Sequence, residues 1–94
     1  MTTFIMFGNY TPGAMEKISA TRTESANTII GECGGELKAA YALLGETDII
    51  ALAEFPSIEM ALKASVELSR ELGISFKTVP AMSMDEFDKL IPEK

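Results

Sequence analysis

Residues 36–55 read ELKAAYALLGETDIIALAEF. Two β-prone runs, Glu36 to Leu44 and Asp48 to Phe55, flank Gly45-Glu46-Thr47, a glycine-bearing joint that closes a β-hairpin. The second run is apolar on both parities, with Ile49, Ala51, Ala53 and Phe55 on one and Ile50 and Leu52 on the other. A strand with one face in water alternates apolar with polar residues, so this pattern predicts a strand covered on both sides.

Helical signals stand on either side of the hairpin. Upstream, Thr11-Pro12 offers a cap followed by proline at the first helical position, where the missing N–H costs nothing. Met15, Ile18, Ala26, Ile29, Ile30 and Cys33 then share one stripe at helical spacing until Gly34-Gly35 ends it. Downstream, Pro56-Ser57 opens a second helix. Its expected buried stripe is Ile58, Ala61, Leu62, Ser65, Leu68, Ser69 and Leu72, with Gly73 as the stop.

Two further strands complete the pattern. Thr2 to Tyr10 is again apolar on both parities, through Phe4/Met6 and Ile5/Phe7. Ile74 to Met82 forms the other, and Pro80, which cannot donate to a ladder, places that part at an edge or beyond the pairing. Ser83-Met84-Asp85-Glu86 matches a capping box before a short helix with Phe87, Leu90 and Ile91 on its apolar side.

The order β, α, β, β, α, β with a short final α is the split βαβ arrangement. It predicts an α+β fold of the ferredoxin-like kind: a four-stranded antiparallel sheet with two helices on one face and a short C-terminal helix, in one domain over residues 1–94. Two helices cover only one face of such a sheet. The two-sided apolar strands therefore imply a second cover, and a further copy of the same chain is the simplest one. A homodimer or larger homo-oligomer through the sheet face is the expected assembly.

Composition narrows the chemistry. The 94 residues carry 14 acids against 8 Lys and Arg, a net charge of −6, with no basic stripe to engage a phosphate backbone. No apolar stretch approaches the ~18 residues that a membrane-spanning helix needs, and the first residues lack a basic leader, so a cytoplasmic protein without nucleic-acid or membrane partners is expected. There is no histidine, which removes the commonest general base and zinc ligand; no metal or cofactor is expected. Cys33, the only cysteine, sits near a helix C-terminus with no histidine to activate it and reads as structural.

Leu44-Gly45-Glu46-Thr47-Asp48-Ile49-Ile50 has companions along the chain: Phe4-Ile5-Met6, Tyr10-Thr11, Arg22, Gly34-Gly35, Tyr41 and Glu54-Phe55-Pro56. In order and spacing this set resembles the GYD-domain family, named for a Gly-Tyr-Asp signature. Thr47 stands where the signature tyrosine would be, so a role requiring that phenol does not carry over. The resemblance implies a ferredoxin-like fold of the dimeric α/β-barrel type, in mostly prokaryotic proteins with no established activity.

Several polar residues invite a functional reading. Arg22 lies between Ile18 and Ala26 on an otherwise apolar stripe, where a guanidinium calls for an acid such as Asp48 or Glu54, backbone carbonyls, a bound anion, or a path past the sheet edge. Asp48 follows the tight Gly45-Glu46-Thr47 segment and suits hydrogen bonding to loop amides. Glu54 shares a strand parity with Ile50 and Leu52, which draws a carboxyl toward an apolar surface as a general base is drawn; its place near the strand end also lets it reach water. Tyr10, Tyr41 and Asn9 offer phenols and an amide near a cavity between sheet and helices or between subunits. The leading expectation is a small oligomeric domain that binds a small molecule, an anion among the candidates, or serves a structural or regulatory role. The alternative is a cofactor-free oxygenase or isomerase using Glu54 or Asp48 as base, an analogy from fold.

Overall fold

The computed structural model describes residues 1–15 and 20–91. Its elements run β1 (Thr2–Tyr10), α1 (Pro12–Met15), α2 (Ala20–Glu32), β2 (Glu36–Ala42), β3 (Ile49–Phe55), α3 (Ile58–Leu72), β4 (Ile74–Ala81) and α4 (Met84–Leu90). The four strands form one sheet in the order β2-β3-β1-β4, every neighbouring pair antiparallel. This is the ferredoxin-like α+β arrangement expected from the element order. The first helical stretch appears as α1 and α2; Glu16 to Ser19 lie outside the described residues, as do the stripe position Ile18 and the side chain of Met15. None of the described helices is long and apolar enough to cross a membrane.

Strand parity sorts the sheet into two surfaces. Phe4 and Met6 of β1 and Ala51, Ala53 and Phe55 of β3 point under the helices, where they meet Ile30, Cys33, Ala61, Ala64 and Leu68 in the buried core. Phe4 and Phe55 touch edge to face at 5.8 Å between centroids, and several alanines keep helix and sheet close. The shortest dimension of the molecule, 18 Å, is that of one sheet with one layer of helices.

The other surface has only half-buried or exposed side chains. Cross-strand register puts Ala39, Leu52, Ile5 and Val79 in one row across all four strands, and Tyr41, Ile50, Phe7 and Lys77 in the next. A polar row of Glu36, Glu54 and Thr3 borders them. The two-sided apolar pattern of β1 and β3 thus corresponds to a core face and a second face that is apolar in its centre and uncovered in this chain.

Three details differ from the sequence reading. The hairpin strands stop at Ala42 and resume at Ile49, leaving a longer connection with Leu44 fully in solvent. Register in β2 shifts between Leu37 and Ala39, so Lys38 is an extra residue that reverses parity, leaving Leu37 and Ala40 both on the core side. In α3 the buried residues are Ala61, Ala64 and Leu68, whereas Ile58, Leu62 and Ser69 are exposed. The helix is turned so that two alanines approach the sheet and Ser65 Oγ meets Thr78 Oγ1 at 2.6 Å, which leaves the branched residues on its flank. Its ends are as expected: Ser57 Oγ accepts from the Met60 N–H, and Gly73 takes the left-handed φ of 68° that ends the helix without a Cβ clash. At the sheet edges, β4 carries Pro80 and β2 carries the bulged Lys38.

Candidate functional site

Between α2 and the core face of the sheet lies a cavity of about 300 Å³. Small side chains create it. Ala26 on α2, Ala40 and Ala42 on β2 and Ala51 on β3 leave space that larger residues would fill, while Ile30, Leu37, Leu68, Leu72 and Phe76 complete mostly apolar walls. Arg22, Thr23 and Tyr10 bring polar groups to the same lining. An apolar chamber with a few polar groups is the usual form of a small-molecule site, and its volume lies at the small end of the range.

Arg22 is half-buried at this cavity. Its Nη2 donates to the Leu72 carbonyl, and its guanidinium carbon lies 5.6 Å from the centroid of the Tyr10 ring. Of the roles that the sequence left open for the guanidinium, these contacts take up the backbone-carbonyl one and add a cation–π contact. Arg22 thereby links α2 to the corner where α3 ends, and Thr11 reaches the same corner by donating its N–H to the Gly73 carbonyl at 3.0 Å.

Tyr10 is held from behind by Asp48. The Asp48 carboxylate accepts the Tyr10 N–H at 2.9 Å, while the Asp48 N–H donates to the Gly8 carbonyl at 3.0 Å and to Asn9 Oδ1 at 3.1 Å. The Asp48 carbonyl accepts from the Leu43 N–H at 2.8 Å, so this one residue clips the hairpin to the end of β1. The amide its carboxylate binds belongs to β1, a strand away from its own loop. Replacing Asp48 with Ala is expected to lower stability by about 1–3 kcal/mol, because a half-buried N–H loses a charged acceptor. Asp48→Asn should recover much of that loss, and urea unfolding at constant m measures both.

The remaining candidates stand apart. Glu54 lies on the opposite sheet surface, with Lys38 Nζ at 3.9 Å from Glu54 Oε1 and 3.4 Å from Glu36 Oε2. The bulge thus supplies a cation between two carboxylates that face each other across β2 and β3. Glu54 and Asp48, the two candidate bases, are therefore not gathered at one site. Gly45 and Thr47 of the signature loop sit in the hairpin connection and do not line the cavity. Tyr41 is largely exposed although it borders the cavity, and Asn9 acts as an acceptor for Asp48. Cys33 is buried, and burial pushes its thiol above the ordinary value, with Lys63 lowering it and Glu67 and Glu32 raising it. That suits packing rather than nucleophilic chemistry.

The family model described as GYD domain matches residues 4–91. The chain belongs to the GYD-domain family. The match spans both strands of the hairpin, the Arg22 helix and the α4 region, so the threonine in the signature loop does not take this GYD domain outside its family. No curated protein matches the sequence. Among solved structures, the leucine response regulatory protein LrpA of Mycobacterium tuberculosis is similar in fold, with a TM-score of 0.58 and 8% identity. The similarity covers 87% of this chain and 51% of LrpA, so this GYD domain spans about half the length of that regulator.

Proposed function

We propose that this GYD domain is a ligand-responsive regulatory module. It takes a small, mainly apolar molecule into the cavity between α2 and the sheet, with the anionic or hydrogen-bonding end of that molecule near Arg22 and Tyr10, and it associates with copies of itself through the outer sheet face. The observation that carries this reading is the apolar chamber with a guanidinium and a phenol ring in its wall. The likeness to half of a protein named as a leucine response regulatory protein supports the regulatory part.

Occupancy links ligand binding to stability, since a molecule that binds only the folded state raises the unfolding temperature as its concentration exceeds Kd. A panel of branched aliphatic and aromatic carboxylates at millimolar concentration, with the matching amides and alcohols, is expected to contain members that raise Tm. Ala26→Leu, which fills the chamber from α2, should abolish the shift while leaving the protein folded by circular dichroism. A panel without any shift, or an Ala26→Leu protein that responds like the parent, would overturn the reading.

A further inference from the structure

The last helix is well formed at its start and uncovered along its side. Ser83 Oγ accepts the Glu86 N–H at 3.1 Å and donates to Glu86 Oε1 at 3.3 Å, so the N-cap half of the expected capping box is in place. Met84, Phe87, Leu90 and the following Ile91 nevertheless remain between 45% and 67% exposed. A helix of seven residues does not sustain itself in water, because nucleation is costly and most helical stability in proteins comes from packing one apolar side.

A second uncovered strip runs along α3. Ile58, Leu62 and Val66, spaced four residues apart, are between 49% and 57% exposed, and Arg70 continues the same row. The solvent-side border of this strip is mixed in charge, with Glu59, Lys63, Glu67 and Arg70, whereas Glu86 and Asp88 border the apolar side of α4 at helical spacing. In this structure neither strip covers the other.

We infer that α4 of one chain packs on the Ile58-Leu62-Val66 strip of a second copy. The two strips match in kind, apolar against apolar, and Lys63 and Arg70 beside the α3 strip are within the set of charges that Glu86 and Asp88 of α4 would meet. The exposed parts of the seven side chains amount to roughly 700 Å² per chain, close to the ~800 Å² per partner of a stable interface. Every chain has one strip of each kind, so a reciprocal exchange of α4 closes as a two-fold dimer with both strips filled. This contact uses neither the cavity nor the outer sheet face, and it stands or falls independently of both.

Cysteine pairing tests it. Leu62→Cys protein mixed with Leu90→Cys protein and mildly oxidised should yield a covalent dimer on a non-reducing gel, one that neither protein alone nor the parent chain with its buried Cys33 produces. The double variant Leu62→Cys/Leu90→Cys should also give dimers. No mixed dimer, equal crosslinking of each single variant with itself, or a disulfide closed within one chain of the double variant would each overturn the inference. In the otherwise natural chain, Phe87→Asp should remove the concentration dependence of Tm that this contact confers; an unchanged dependence would count against it.

Discussion

Phe55→Ala is expected to lower unfolding free energy by about 3–5 kcal/mol, the largest effect of any single truncation in this chain. Phe55 ends β3 with no exposed surface, its ring edge-on to Phe4. The backbone has been brought up to the ring: a Cβ built on Gly35 would lie 2.6 Å from two Phe55 ring carbons and 2.7 Å from the Glu54 carbonyl oxygen. A wall held that close by backbone cannot collapse into the space an alanine leaves, so the cavity cost adds to the lost transfer energy. Small domains have little stability in reserve, and a loss of this size approaches the whole of it. Urea unfolding followed by circular dichroism decides the matter; a loss under about 1 kcal/mol would mean that the site relaxes, contrary to the packing described.

Leu52→Glu should act in the opposite manner, leaving the fold and removing the proposed contact between sheet faces. Leu52 lies in the Ala39-Leu52-Ile5-Val79 row, at the centre of the surface that no helix covers, and it is only half-buried in a single chain. A carboxylate there reaches water when the chain is alone but must be desolvated when two sheet faces meet. The expected consequence is a rise of roughly a hundredfold or more in the dissociation constant, with the helical and sheet signals of the parent retained. Light scattering over a concentration series reads the change. If the variant keeps the parent's mass, the sheet face is not where copies meet; should the parent itself be a strict monomer at tens of micromolar, self-association is absent altogether.

The fold was legible because its punctuation is strong. Pro12, Gly34-Gly35, Pro56-Ser57, Gly73 and Ser83 each mark a start or stop that the structure places within a residue or two of an element's end. The two-sided apolar pattern of β1 and β3 also carried over directly into two unlike sheet surfaces. Rotation about a helix axis was harder to see. In α3 the larger residues Ile58 and Leu62 looked like core, yet Ala61 and Ala64 are buried beside Leu68 while those two are exposed, because close approach to the sheet favours the smaller group.

The candidate site was half legible. Arg22 stood out as a charge within an apolar stripe, and Tyr10 and Tyr41 as phenols near a cavity between sheet and helices or between subunits. What Arg22 touches was not foreseeable, because the Leu72 carbonyl lies fifty positions away and a backbone oxygen leaves no mark in a sequence. The chamber itself is made by alanines, which read as ordinary filler in a helix or strand until their neighbours are known. The parity of β2 was hidden by the extra residue at Lys38, since a bulge changes which side chains share a face without altering composition.

That extra residue has a bearing on how the protein behaves when crowded. A sheet with two free edges can add strands from other molecules sideways and without limit, the route by which strand-rich proteins form fibres. Here each border carries an interruption, Lys38 on β2 and Pro80 on β4, one a bulged charge and the other a residue with no N–H to give. Lateral growth is thereby discouraged at both borders, while the apolar centre of the sheet and the helical strips remain open to contact. The sideways addition of strands is thus opposed by two residues that take no part in the cavity.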